Sequence, residues 1–126
     1  MASMPQAAQI NQGISEQVRR CIELCSDCHE MCVSAFAYCI GMGGQHAEEK
    51  HLRLLMDCAQ VCQTSADFML RGSNFQYRVC GVCADVCESC ADSCESFSND
   101  ATMKMCAELC QQCATTCREM SVTGAA

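Results

Sequence analysis

The sequence predicts an all-α fold, an antiparallel up-down-up-down four-helix bundle with a cysteine-lined core. Three observations predict it. Apolar residues and cysteines recur at steps of three and four between pairs of polar residues, and no segment alternates as a strand would. Gly41, Gly43, Gly44, Gly72 and the polar run Ser98-Asn99-Asp100 divide the chain into four stretches of helical length. The three loops left between them are short, which sets consecutive helices antiparallel.

The elements follow in order. Residues 1–13 form an N-terminal extension with the single proline, Pro5, and end at Gly13. The first helix is expected over about 14–40, with Gly41 as its C-terminal cap. The second runs over about 46–71 and stops at Gly72. The third, about 74–97, opens on Ser73-Asn-Phe-Gln76. That run reads as a capping box, with Ser73 accepting from an unpaired amide and Gln76 reaching back. The fourth, about 100–120, has Ser98, Asn99 and Asp100 as candidate N-caps. Residues 121–126 are left as a tail. Gly81 falls inside the third helix with no break around it.

The cysteines give this frame its chemistry. There are 16 in 126 residues. The first helix carries Cys21, Cys25, Cys28, Cys32 and Cys39, and the second Cys58 and Cys62. The third carries Cys80, Cys83, Cys87, Cys90 and Cys94, and the fourth Cys106, Cys110, Cys113 and Cys117. At about 100° per residue, each set stays within a stripe of about 60° on its own helix. These are the seam positions that Leu and Ile usually occupy in a bundle. Leu, Ile, Val and Phe together make up only about one residue in six, and the net charge is -7. Such a composition ordinarily signals disorder. It becomes compatible with folding if cysteines, small apolar groups suited to burial, fill the core.

Several classes are excluded by composition. No apolar run approaches about 18 residues, so no transmembrane helix is expected. The first residues lack a basic region followed by an apolar block, and Arg19-Arg20 leads into Cys-Ile-Glu-Leu-Cys, so no secretory signal is read. A cytoplasmic, reducing location with free thiols is the expectation, a processed exported form being the alternative. Eight basic residues against fifteen acidic ones argue against a nucleic-acid partner.

Several uses of such thiols compete. Neighbours three or four apart on one helix face run parallel, a poor geometry for disulfides, and iron–sulfur clusters need a wrapping loop instead of a continuous helix. Structural zinc sites present isolated sets of four ligands, whereas these thiols are stacked continuously. Cu(I) fits the stacking: it is soft, favours thiolate and thioether, and accepts two or three ligands. If each ion has two thiolates and each thiolate bridges two ions, capacity approaches one ion per cysteine. Each ion replaces a thiol proton, which leaves the core formally neutral. A zinc-binding protein and a thiol–disulfide redox protein remain the alternatives. No β-strand accompanies the CxxC pairs and no catalytic constellation stands out, so a binding protein is read in preference to an enzyme.

The two ends of the expected bundle differ. Ile14, Met69 and Met120 gather at the end holding the chain termini, as an apolar plug. Met42, His46, His51, Met103 and Met105 gather at the other, all soft or borderline ligands. His29 sits at the edge of the first stripe and reads as a flanking residue. The stretch Met103-Lys-Met-Cys106-Ala-Glu-Leu-Cys110-Gln-Gln-Cys113-Ala-Thr-Thr-Cys117-Arg, echoed in Cys21-Ile-Glu-Leu-Cys25-Ser-Asp-Cys28, resembles the cysteine-rich four-helix-bundle copper storage proteins. The resemblance covers about residues 14–120. It implies a homotetramer that stores many Cu(I) ions, held mainly by two thiolates each. It also implies that Met42, His46, His51, Met103 and Met105 form the mouth through which copper passes.

Overall fold

A computed structural model gives the fold and describes residues 13–124. Helix α1 spans Glu16–Met42, α2 spans Glu49–Leu70, α3 spans Gln76–Glu95 and α4 spans Ala101–Gly124, with a 3₁₀ turn at Gly44–Ala47 between α1 and α2. Each helix packs on two others: α1 and α3 each lie against α2 and α4. Sulfur contacts fix the antiparallel register. Cys21 meets Cys117 and Cys28 meets Cys110 across α1 and α4, while Cys62 meets Cys83 across α2 and α3. The expected extension up to residue 12, and the last two residues of the tail, lie outside the described residues.

The ends of the helices show which local signals were decisive. Ser15 caps α1, its hydroxyl accepting from the Val18 amide at 3.2 Å. The C-terminal cap is Gly43, not Gly41: Gly43 has φ +68° and its amide donates to the Cys39 carbonyl. Gly41 lies within the helix, and the turn after Gly43 is 3₁₀, so α2 begins three residues later than the expected position 46. Helix α2 does end at Gly72, at φ +64°. Gly72 and Ser73 donate to the carbonyls of Met69 and Phe68, the paired bonds of a Schellman motif.

The expected capping box at Ser73 does not form: Phe75 takes the N-cap position of α3, with no side-chain cap bond. Ser73 Oγ accepts from the Phe75 amide at 3.1 Å, but Gln76 Oε1 is buried without a partner. Helix α3 accordingly begins at Gln76. Of the three candidate caps for α4, Asp100 is the one used, its Oδ1 accepting from the Met103 amide at 3.0 Å. Helix α4 continues to Gly124, so four residues of the expected tail are helical. Gly81 has a packing reason: a Cβ there would lie 2.9 Å from Ser121 Oγ. Its absence lets α3 and α4 approach closely.

All sixteen cysteines are 0% exposed. Alanines fill the flanks of the stripes: Ala35, Ala59, Ala66, Ala84, Ala91, Ala107 and Ala114 are buried beside them. The bulkiest fully buried side chains are Leu55, Met69, Met103 and Met120. Met69 and Met120 do lie at the end of the chain termini, where the thioether of Met69 is 3.8 Å from Cys80 Sγ. The core axis between the two ends is sulfur.

Candidate metal centre

None of the sixteen cysteines is in a disulfide. Their sulfurs form groups in which every ligand atom lies within 4.8 Å of the others. From the closed end upward these are Cys21, Cys80 and Cys117; then Cys25, Cys83, Cys113 and Cys117; then Cys28, Cys62, Cys87 and Cys113; then Cys28, Cys32, Cys58 and Cys110. Successive groups share a corner, through Cys117, Cys113 and Cys28 in turn. Cys90, Cys94, Cys106 and Cys39 continue the stack toward the other end. The residues that sequence spacing placed on four separate stripes thus form one connected column.

Sulfur–sulfur contacts along it run from 3.5 Å, between Cys25 and Cys117, to 4.0 Å, between Cys58 and Cys62. A tetrahedral ion with Zn–S bonds of about 2.3 Å requires an edge of about 3.8 Å, so single groups also suit Zn(II). Shared corners limit that use. The group on Cys25 and the group on Cys58 have no member in common, whereas the middle one borrows a thiol from each. Only two isolated tetrahedra can be filled at once. A thiophilic ion that tolerates bridging can use the whole column.

Neighbouring thiols share protons. Hydrogen bonds from Cys110 and Cys113 push the Cys28 thiol well below the usual range, while contact with Cys106 and Cys28 pushes Cys110 up. At the mouth, burial first and the Asp100 charge second push Cys39 up to about 11. A metal must displace that proton, so binding here releases protons and weakens at low pH.

The mouth joins residues from all four helices. Cys39 Sγ is 3.4 Å from His51 Nε2 and 3.7 Å from Met103 Sδ. His51 Nδ1 lies 2.7 Å from Ser93 Oγ. Burial lowers the His51 pKa, which keeps the imidazole neutral and a nitrogen lone pair available. His46 is held differently, its Nε2 2.8 Å from Asp100 Oδ2. Tyr38 donates to the same oxygen at 2.7 Å. That bond, with the Met103 amide, holds the Asp100 carboxyl down at about 2. Phe97 lies between the histidines, its ring 4.2 Å from His46 and 4.8 Å from His51.

Two of the five expected mouth residues stand apart from this trio. Met105 is 56% exposed, because it is two residues, about 200°, round α4 from Met103. Met42 ends α1 and is 54% exposed. Neither makes part of the buried donor set. His29 does flank the column, its Nδ1 2.7 Å from the Ala59 carbonyl of α2. Sequence reasoning missed Tyr38, Ser93 and Phe97, and took Asp100 only as a cap. The signal existed for two of them: Ser93 and Phe97 extend the inner rhythm of Cys90 and Cys94 by steps of three and four.

The family profile described as copper storage protein matches residues 14–122. The solved structure of Nmul_A1745 from Nitrosospira multiformis is 44% identical, covers 86% of this chain and 97% of its own, and superposes with a TM-score of 0.80. The Cu(I)-bound copper storage protein BsCsp3 is 33% identical, covers 84% of this chain and 99% of its own, with a TM-score of 0.78. The cysteine-rich protein YhjQ of Bacillus subtilis is 36% identical over 65 residues, 52% of this chain. The chain spans 60% of the length of that curated relative. A profile match over nearly the whole bundle, on a fold whose core is a column of thiols, makes the chain a member of the copper storage protein family.

Proposed function

We propose that this chain stores Cu(I) along its axis, each ion held by thiolates and neighbouring ions bridged through shared ones. The observation that carries this is the connected column, in which Cys28, Cys113 and Cys117 each belong to two groups. The role is storage or detoxification by sequestration, not catalysis. A thiol–disulfide enzyme needs an exposed thiolate of low pKa, and these thiols are wholly buried. The stored form needs reduced thiols, which a cytoplasmic setting supplies. Among the described residues no helix is long and apolar enough to cross a membrane. A homotetramer, the assembly that the family resemblance implies, is our reading of the chain's oligomeric state.

Titration of the reduced apoprotein with Cu(I) against a chromophoric Cu(I) chelator tests the function. The expected uptake is on the order of one ion per cysteine before the chelator colours. Saturation after only a few ions would overturn storage. Zn(II) is the second reading, favoured by the tetrahedral edge lengths. It predicts saturation at two tightly held ions, from the two groups without a common corner.

Copper is read as passing through Cys39, His51 and Met103, with His46 above them. Ser93 then matters through His51: its hydroxyl engages Nδ1 and leaves Nε2 facing Cys39, as outer partners of metal-binding histidines do. Ser93→Ala should slow copper transfer to a chelator about tenfold or more at unchanged capacity. The same change in a His51→Ala background should add nothing. An additive effect there would show that Ser93 acts otherwise.

A further inference from the structure

The cluster above the mouth is unsuited to holding Cu(I). Phe97 has no ligand atom, and Asp100 offers hard oxygens that a soft ion avoids. Yet these residues close the open end of the column. Phe97, from the turn between α3 and α4, stacks against His46 and His51, and Tyr38 meets the His46 ring edge-on at 5.9 Å. Asp100 gathers three elements: Tyr38 of α1 and His46 of the 3₁₀ turn on Oδ2, and the Met103 amide of α4 on Oδ1. Directly below, Cys39 and Met103 are fully buried and His51 is 4% exposed. In this arrangement an ion arriving from solvent meets an aromatic ring and an occupied histidine, not a free donor.

We infer that Phe97 and Asp100 form a gate, with Tyr38 and His46 as its clasp, whose opening limits the rate at which copper enters and leaves the column. Its role in copper transfer rests on the storage reading; its existence as a closure over the thiols does not. Displacing the 96–100 turn breaks the ring contacts and the two bonds to Oδ2 together. The same motion frees His46 Nε2 from Asp100 and makes it the outermost donor, directly above His51. Uptake and release cross one barrier, so a weakened gate speeds both. Capacity is set deeper in the column and stays as it was.

Phe97→Ala and Tyr38→Phe test this in the full chain, with two readouts. One is the rate at which excess chelator strips Cu(I) from the loaded protein. The other is the rate at which the metal-free protein's thiols react with an aromatic disulfide reagent. Both rates should rise, on the order of tenfold for Phe97→Ala and a few-fold for Tyr38→Phe, with the number of ions bound unchanged. Because Phe97 carries no donor, slower or unchanged rates overturn the gate. Acceleration that merely follows a lowered melting temperature in both variants overturns it too, since global unfolding then exposes the thiols. Tyr38→Phe removes a single hydroxyl and decides the matter if Phe97→Ala folds poorly. Were the wild type to bind no copper, the storage reading would fall while thiol reactivity still judged the gate.

Discussion

Replacing Cys28 and Cys113 together with alanine is expected to remove roughly a quarter of the copper capacity, about twice the two ions a simple count of thiols suggests. The reason is their position. Cys28 belongs to the two upper four-thiolate groups and Cys113 to the two lower ones, so the pair reaches all three. Losing a bridging thiolate leaves two ions short of a ligand at once. Cys39 and Cys94 lie outside these groups, and the same double replacement there should lose only about two ions. Alanine is preferable to serine, since a poorly satisfied hydroxyl in this core costs about 1–3 kcal/mol. Helical content by circular dichroism should match the wild type in both variants. Equal losses from the two pairs would mean that ions are held singly, without bridging.

The second large effect is on stability. The metal-free core has little aliphatic bulk; after Leu55 and three methionines, its largest fully buried side chains are cysteines. Burying a small thiol gains less than burying leucine, so the empty bundle has a narrow margin. Ions that bind the folded column and not the unfolded chain stabilise it by mass action, about 4 kcal/mol for a single site at a thousandfold excess over Kd. With many sites, loading should raise the melting temperature by on the order of 20 °C or more. Stripping the copper anaerobically with excess chelator should restore the original value. A melting temperature indifferent to loading would place the ions outside the core, or equally on the unfolded chain.

Much of this architecture was legible in the sequence, for definite physical reasons. Steps of three and four place Cys80, Cys83, Cys87, Cys90 and Cys94 on one face whatever the neighbours do, and the low aliphatic content leaves no other group to fill the core. Gly72 was legible because a Schellman motif is local. Gly43 was not, because Gly41 offers the same chemistry and only the closing of the 3₁₀ turn decides which glycine takes the positive φ. The absence of the capping box at Ser73 has a similar cause: the Gln76 side-chain oxygen is buried by packing instead of turned back on the helix.

At the metal column, the stripes could be read but not their meeting. Which sulfurs share a group depends on the axial register of α1 against α4 and of α2 against α3, which no local spacing encodes. Met105 shows the limit of proximity in sequence, since two residues along a helix turn a side chain from core to solvent. At the mouth, Tyr38, His46 and Asp100 are brought together from distant positions by the bundle's closure. A Tyr and a Phe among polar neighbours carry no ligand signal of their own.

On the storage reading the buried thiol column is itself the store. Anomalous diffraction at the copper edge, on crystals of the reduced protein loaded anaerobically with excess Cu(I), tests it most directly. Storage in the column requires a string of copper peaks along the bundle axis from the Cys21, Cys80 and Cys117 level to the mouth, each peak between cysteine sulfurs. Peaks confined to His51, Met103 and the surface, with the column empty, would contradict it.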